Sequence, residues 1–350
     1  MKSKTLFVFP LAVVAVLALS VGAFAQPSAP SYQLITTITV PGGLGAFDIA
    51  WVDPGSQRFY LAARTTAGAG SIVVVDTQTN KLLYTIPTTK SEIQFTGTVP
   101  AVKAGCTISG PNGVVAIPQL HQLYVGDGDS TVKVVDLDAR AIIAVISTGG
   151  SCRADELAYD PLDHIIMITN PAAVEPGGSF VTFISTDTQT VLGRYTYPTT
   201  QAGLEQPVWN PKTKRFYISV PTTMTSPGTI DVFNPITMLK ENSFIANCSP
   251  AGLVLTPNQQ LMTSCGQMFD AGSGNSLGVT SGASADELWY NPGDNFFYFG
   301  STNAAVVDAT TRQFLTYLPS AGGHTLAVDP NNNHIFAPVT GAGIKVFAQQ

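Results

Sequence analysis

Polar residues that could bind or transform a ligand recur in this sequence at one fixed distance from a turn proline. Counting back six residues from the proline of each of seven turns gives, in order, Asp48, Asn112, Asp155, Glu205, Ala251, Asp286 and His324. At two of these positions the next residue is also acidic: Glu156 follows Asp155, and Glu287 follows Asp286. Only 11% of the 350 residues are charged, so a recurring acidic position indicates a site rather than the background composition.

Converging carboxylates and an amide favour the binding of a cation. Carboxylates that approach one another repel, and this raises some of their pKa values unless a cation or a hydrogen-bond donor neutralises them. Asp, Glu and Asn oxygens are the ligands that Ca²⁺ takes in proteins. We therefore predict Ca²⁺ or another divalent cation, with Asp48, Asn112, Glu156 and Glu287 among the ligand-binding residues. The alternative is that such side chains cap the backbone of a neighbouring unit or line a water-filled channel.

The same turns divide the chain into repeated units of short strands. Five contain an Asp-Pro or Asn-Pro pair (Asp53-Pro54, Asp160-Pro161, Asn210-Pro211, Asn291-Pro292 and Asp329-Pro330), and two weaker turns lie at Ile117-Pro118 and Thr256-Pro257. A run of β-branched and aromatic residues follows each turn, such as 58–61 and 215–218, and a further run such as 72–76 ends in Asp. Short strands between turns are typical of an all-β protein. Four antiparallel strands per repeat indicate a β-propeller, with a β-sandwich or a pair of β domains as the alternative.

The two ends of the chain supply the strands that close the ring. The last unit stops after its third strand, at residues 344–347, and residues 33–40 form a strand that belongs to no unit. Pairing these strands gives seven full blades and covers two edges that would otherwise be open to aggregation. The prediction is one seven-bladed β-propeller domain over residues 26–350. Because the first strand of each blade lines the central channel of a propeller, the recurring polar position lies at one mouth of that channel.

The first 25 residues have the three parts of a secretory signal peptide. Lys2 and Lys4 precede an apolar run over residues 6–19, and Ala23-Phe24-Ala25 forms an A-x-A cleavage pattern. No later stretch reaches the 18 or so apolar residues that a spanning helix needs. With 17 basic and 23 acidic residues the net charge is -6, and such a chain has no basic surface for nucleic acid. We expect an exported monomer, periplasmic or extracellular, with no membrane span after cleavage.

The four cysteines fit two disulfides in the propeller register. Cys106 and Cys152 precede the first strands of adjacent blades, while Cys248 precedes a first strand and Cys265 ends the second strand of that same blade. An oxidising compartment favours disulfides, so we predict Cys106–Cys152 and Cys248–Cys265. The first pair would hold the loop over residues 90–110 across the channel mouth. The spacing of the cysteines matches neither a zinc ribbon nor covalent haem attachment.

One repeat unit carries a resemblance to a known family. Residues 122–125, Gln-Leu-Tyr-Val, followed by residues 132–136, Val-Lys-Val-Val-Asp, resemble the YVTN-type repeats of YncE-like propellers, over nearly the whole chain after the signal peptide. The resemblance implies a seven-bladed propeller. That family consists mostly of binding or uncharacterised surface proteins, so it implies binding rather than a particular reaction, because a fold carries no activity by itself.

Two short segments are similar to a family of enzymes. The segment Glu205-Gln206-Pro207-Val208-Trp209 is similar to the E-G-P-x-W segment of SMP-30/gluconolactonase propellers, and Pro111-Asn112-Gly113 is similar to their P-N-G segment. The similarity implies that Glu205 and Asn112 bind a divalent metal, with Asp155 or Asp286 supplying a further carboxylate. One acid would then act as general base on a metal-bound water.

If the chain is a metal-dependent hydrolase, for example a lactonase, we expect Glu205 and His324 to be its catalytic residues. The chain departs from the family, since Gln206 replaces a glycine, those enzymes have six blades, and the two segments occur in another order. There is no haem or nucleotide motif in the sequence. Only His324 lies on the same face as the recurring acids, because the other histidines adjoin turns on the opposite face.

The leading functional hypothesis is therefore binding of a cation and of a small or extended ligand at an acidic channel mouth. The hydrolase is the first alternative. The second is a passive scaffold that presents exposed loops, such as residues 222–228, to protein partners. The three tryptophans, Trp51, Trp209 and Trp289, follow the recurring position by three or four residues, and we expect them to be core between blades rather than a ligand site.

Overall fold

The chain forms a ring of seven antiparallel sheets. A computed structural model describes residues 29–64, 69–87, 93–100, 104–198, 203–319 and 321–350, together with Met1. The predicted signal peptide lies outside these residues apart from Met1. The described residues form 28 strands and a short 3-10 helix, and the strands are grouped into seven four-stranded sheets. This is the predicted seven-bladed β-propeller, and no helix in its described residues is long and apolar enough to cross a membrane.

Strand β1 (Tyr32–Ile38) belongs to the closing blade, and the following strands form blades in chain order. Blade 1 contains β2 (Ala46–Asp53), β3 (Arg58–Arg64), β4 (Ser71–Asp76) and β5 (Lys81–Ile86). Blade 2 contains β6 (Val114–Ile117), β7 (Gln122–Asp127), β8 (Thr131–Asp136) and β9 (Ala141–Ser147), with the 3-10 helix Pro118–Leu120 between β6 and β7. Blade 3 contains β10 (Leu157–Asp160), β11 (Ile165–Asn170), β12 (Phe180–Ser185) and β13 (Thr190–Thr196).

The second half of the ring repeats this order. Blade 4 contains β14 (Pro207–Asn210), β15 (Arg215–Val220), β16 (Gly228–Asn234) and β17 (Leu239–Ala246). Blade 5 contains β18 (Leu253–Leu255), β19 (Gln260–Thr263), β20 (Gln267–Asp270) and β21 (Ser276–Val279). Blade 6 contains β22 (Glu287–Asn291), β23 (Phe296–Gly300), β24 (Ala305–Asp308) and β25 (Phe314–Tyr317), and blade 7 contains β26 (Ala327–Asp329), β27 (His334–Val339), β28 (Gly343–Gln349) and β1.

The Asp-Pro and Asn-Pro turns have a local physical cause. In blade 3 the Asp160 Oδ1 atom accepts a hydrogen bond of 2.8 Å from the backbone N–H of Leu162, and in blade 4 Asn210 Oδ1 accepts one of 2.9 Å from the N–H of Lys212. Such side chains hydrogen-bond the backbone two residues further on and favour a turn. The residue just before the second strand adopts a left-handed conformation, with φ of 55° at His164 and 54° at Lys214. The turn that separates the first two strands is therefore encoded locally.

The ring closes between the two ends of the described chain. β1 pairs antiparallel with β28, with Tyr32 opposite Gln349 and Ile38 opposite Ile344. The N-terminal strand therefore supplies the outer strand of blade 7, as the sequence predicts. Both strand edges are paired, so the closing blade has the same four strands as the other six.

Apolar side chains form a separate cluster at each of the seven junctions between blades. At the closing junction the rings of Phe59 and Phe336 stack with centroids 5.2 Å apart. Trp51, Trp209 and Trp289 are half-buried and pack against these clusters, as expected. They also line a cavity in the central channel, which the sequence reasoning did not foresee.

Candidate functional site

The predicted ring of polar residues assembles at one mouth of the channel. Backbone hydrogen bonds join its members from blade to blade: the N–H of Gly113 donates to Asp155 O at 3.1 Å, and the N–H of Gly252 donates to Asp286 O at 2.7 Å. The side chains are close enough to act on one another electrostatically, and Glu205 is affected by the charges of Asp155 and Asp286. We call the group Asp48, Asp155, Glu205 and Asp286 the acidic mouth.

Glycine is required where neighbouring blades meet at this mouth. A Cβ atom on Gly113 would overlap the backbone oxygen of Asp155 and would lie 2.7 Å from the Cα of Glu156. Real Cβ atoms essentially never approach this closely, so the close approach of blades 2 and 3 depends on the absence of a side chain. The Pro111-Asn112-Gly113 segment thus has a packing role here.

Two arginines that the sequence reasoning missed lie among the acids. Arg64 ends β3, opposite Ala46 at the start of β2, and its guanidinium pairs with the carboxylate of Asp48. Arg153 Nη2 lies 2.6 Å from Asp155 Oδ2, and its Nη1 lies 3.9 Å from Asp48 Oδ2. A signal for Arg153 was present, since it stands two residues before a mouth acid in a chain with few charges.

The side chain of Asn112 is fully engaged within the protein. It is completely buried; its Oδ1 accepts a hydrogen bond from Arg64, and its Nδ2 donates one of 2.8 Å to the backbone oxygen of Ala154 in the next blade. Asn112 therefore ties blades 1, 2 and 3 together at the mouth. Ala251, the one apolar member of the recurring position, donates its N–H to Ser264 Oγ at 3.1 Å.

His324 lies at the edge of the mouth beside Asp48. Its Nε2 atom is 3.5 Å from Asp48 Oδ1, and its ring centroid is 5.3 Å from that of Phe47. Burial lowers the pKa of His324, but the carboxylate of Asp48 outweighs burial and raises that pKa above its usual value. The protonated imidazolium is thus favoured next to Asp48.

The two acids that pair with arginines differ in their pKa values. Burial raises the pKa of Asp48, yet Arg64, His324 and Arg153 together lower it below the usual value. Burial raises the pKa of Asp155 to about 6 against the opposing charge of Arg153. Asp48 is therefore a stable carboxylate, whereas Asp155 changes its protonation in weakly acidic solution.

Glu205 forms no ion pair among the described residues, although Arg153 is close enough to act on its charge. Burial and the neighbouring Asp155 raise its pKa to about 9, despite the opposing effect of Arg153. Its backbone N–H donates to Ser219 O at 3.0 Å, which fixes the start of blade 4 at the mouth. At neutral pH this side chain holds a proton that a cation could displace.

Below the mouth, Glu156 of blade 3 and Glu287 of blade 6 face each other across the channel. Both are buried, and the carboxyl group of Glu287 is within hydrogen-bonding reach of Glu156. Burial and the proximity of the other acids raise both pKa values well above the usual value. The Oε2 atom of Glu156 has no hydrogen-bond partner among the described residues. We call Glu156 and Glu287 the inner pair.

Two of the metal ligands implied by the gluconolactonase similarity already have partners within the protein. Asn112 is engaged by Arg64 and Ala154, and Asp155 is paired with Arg153. Across the described ranges, no group of three or more His, Cys, Asp or Glu side chains is placed to hold a metal ion. The residues as arranged do not fit that ligand set, so we derive no catalytic step through a metal.

Both predicted disulfides are present. Cys106 is bonded to Cys152, and Cys248 is bonded to Cys265. The N–H of Arg153 donates to Thr107 O at 2.7 Å, so the first disulfide lies directly beside an arginine of the mouth. Part of the predicted lid loop over residues 90–110 lies outside the described residues.

The rest of that loop is held by a buried ion pair in blade 2. Asp127 accepts a hydrogen bond of 3.1 Å from the backbone N–H of Thr96 and one of 2.8 Å from the Thr96 hydroxyl. The ammonium group of Lys133 is buried and pairs with Asp127, and it also lies 2.9 Å from Asp129. Lys133 and Asp127 thus anchor the described part of the loop next to the mouth.

Comparisons with known proteins support the fold alone. No protein-family model matches the chain, and no curated protein matches it. A solved structure described as "Crystal Structure of Mitotic Checkpoint Complex" contains a similar chain, with a TM-score of 0.64 and 11% sequence identity over 99% of this chain and 98% of that chain. At this identity the likeness extends to the propeller architecture and not to a function.

Proposed function

We propose that this protein is a binding protein that takes a small cationic ligand at the acidic mouth. One observation carries the proposal. Four carboxyl groups meet two guanidinium groups and one imidazole at the acidic mouth: Asp48, Asp155, Glu205 and Asp286. Buried groups of like charge repel unless protons or cations neutralise them, so a cation is the ligand that this arrangement favours.

The binding position lies beside Glu205 and Asp286, the two acids of the mouth that form no ion pair among the described residues. Asp48 and Asp155 already have guanidinium partners, whereas the charge of Glu205 is opposed by its neighbours Asp155 and Asp286. A cation beside Glu205 and Asp286 would replace the proton on Glu205. A divalent cation such as Ca²⁺ and an organic ammonium ion both supply this charge.

We infer that residues 1–25 are removed as a signal peptide, and that residues 26–350 act as one exported monomeric domain of the YncE-like type. Two disulfides support an oxidising compartment. The excess of acidic over basic residues supports a ligand other than nucleic acid.

Calorimetric titration of the purified protein tests the binding proposal. Ca²⁺ and diaminopropane are titrated separately into chelator-treated protein at about pH 6 and about pH 8. We expect one of them to bind with release of a proton, and more tightly at the higher pH, because the proton on Glu205 competes with the cation. Losing a hydrogen bond to a charged group typically costs about 1.5–3 kcal/mol, so Glu205→Gln weakens binding roughly tenfold or more.

Glu241→Gln is the matched control. Glu241 is an exposed acid on β17 that pairs with Arg215, away from the channel, and its replacement leaves binding unchanged. Absence of heat with both probes at millimolar concentration, or equal affinity in Glu205→Gln, would contradict the proposal. Turnover of a lactone by the metal-loaded protein, lost in Glu205→Gln, would favour the hydrolase alternative instead.

A further inference from the structure

The central channel contains an apolar cavity at the end away from the acidic mouth. Its volume is about 500 Å³, and it is lined by the first strands of blades 1 to 6. Pro118, Gln119 and Pro161 form part of its wall. These residues belong to the connections between first and second strands, so the cavity reaches toward the face opposite the mouth. Glu156 lies at its inner end.

All three tryptophans of the chain line this cavity. The rings of Trp51 and Trp289 meet edge to face, with centroids 5.6 Å apart. The indole N–H of Trp209 is buried and has no hydrogen-bond partner among the described residues. Pockets of a few hundred Å³ with aromatic walls and a few placed polar groups are typical small-molecule sites.

The polar atoms at this cavity define the chemistry of an occupant. Among the described lining residues Glu156 is the one with a carboxyl group, and its buried Oε2 lacks a partner. A buried carboxylate is stable only when paired with a cation or well hydrogen-bonded. Indole faces attract cations, and Trp does so more strongly than other aromatic residues.

We infer that this cavity binds a small organic amine, with its apolar body between the tryptophans and its ammonium group at Glu156. The site is separate from the acidic mouth, because the inner pair of Glu156 and Glu287 lies between the two. Binding at this cavity can therefore be tested separately from the proposed binding at the acidic mouth.

The binding energetics follow from the state of the inner pair. Burial and the neighbouring acids raise the pKa of Glu156, which favours the protonated carboxyl group in the unliganded protein. An arriving ammonium ion takes the place of that proton as the neutralising charge. Affinity for an amine therefore rises with pH until the amine itself loses its charge.

Intrinsic tryptophan fluorescence is a direct test, because every tryptophan lines the cavity. The full-length mature protein is titrated with phenylethanolamine, styrene glycol and mandelate. These probes share a phenyl ring and a hydroxyl group, but their head groups are cationic, neutral and anionic. We expect a saturable change in emission with the amine, weaker binding of the glycol and weakest binding of mandelate.

Two variants separate the cavity from the mouth. Glu156→Gln keeps the size of the side chain and removes its charge, so it weakens binding of the amine roughly tenfold or more and leaves binding of styrene glycol unchanged. Retained binding of the glycol also reports that the variant is folded. Glu241→Gln, on the outer strand of blade 4, leaves binding of all three probes unchanged.

Three results would overturn the inference. The first is the lack of a saturable fluorescence change with the amine. The second is binding of mandelate as tight as that of phenylethanolamine. The third is an amine affinity that Glu156→Gln leaves intact; if Glu205→Gln abolishes it, the amine binds at the acidic mouth and the proposed function survives while the cavity site does not.

Discussion

Replacing Glu205 by Gln should make the protein more resistant to alkaline destabilisation. Burial and Asp155 raise the pKa of Glu205 from 4.5 to about 9 in the folded protein. Between these two pH values the folded state holds a proton that the unfolded state has lost. Stability therefore is greatest below the lower value and falls as the pH rises toward the upper one. The amide of the Glu205→Gln variant does not titrate, so the variant lacks this part of the pH dependence.

The size of the effect follows from the shift. One pKa unit corresponds to about 1.4 kcal/mol, so an isolated group with this shift costs the fold ~4 kcal/mol between about pH 5 and about pH 8. Unfolding entropy near 2 cal/mol/K per residue converts this, for a chain of this length, into roughly 6 °C of melting temperature. Electrostatic coupling of Glu205 to Asp155 spreads the cost over more than one group, so we treat these figures as upper values.

Scanning calorimetry in the presence of a chelator, at about pH 5 and about pH 8, measures this change in melting temperature. We expect wild type and Glu205→Gln to have similar melting temperatures at the lower pH and to diverge at the higher pH, with the variant more stable. Glu241→Gln should follow wild type, since Glu241 lies on an outer strand. If wild type and Glu205→Gln lose stability in parallel as the pH rises, the raised pKa of Glu205 is wrong.

Three further perturbations test other parts of the structure by denaturant or thermal unfolding. Replacing Cys106 and Cys152 by Ser removes a disulfide between residues 46 apart in sequence and should lower the free energy of unfolding by about 4 kcal/mol. Unchanged tryptophan emission would show that the channel residues are intact in this variant. Gly113→Val should cost about 2 kcal/mol or more, because its side chain would overlap the next blade; a neutral effect would refute the packing role. Lys133→Met should cost about 3–5 kcal/mol, because it leaves Asp127 buried without its partner, and adding Asp127→Asn should restore part of that loss.

The fold was predictable because its signals are local. Asp160 and Asn210 cap their own turns through backbone groups two residues away, so the repeat appears directly in the sequence. Once the repeat gives the register, equivalent positions share one end of the channel, and the cysteine pairs follow from the same register. The predicted acids therefore meet at one mouth even though the sequence separates Asp48 and Asp286 by most of the chain.

The site chemistry was less predictable because it depends on distances across the ring. Arg64 and Arg153 reach the acids from positions outside the recurring one, so no periodicity marks them. The approach of Glu156 to Glu287 depends on the width of the channel between blades 3 and 6, which a linear sequence does not contain. The tryptophans were expected in the core, and their second role as cavity wall depends on the same width.

The pairing of β1 with β28 means that the first strand must wait during synthesis for its partner strand. Ser31 and Gln350, which hydrogen-bond through their side chains, are 319 residues apart in the chain. At ~5–20 residues per second, a ribosome needs roughly 15 to 60 s to travel that distance. Throughout that interval the earliest strand has an unpaired edge and must avoid other chains. The ring is therefore completed only after blade 7 has been synthesised, and slow translation of that blade prolongs the period in which the nascent chain can aggregate.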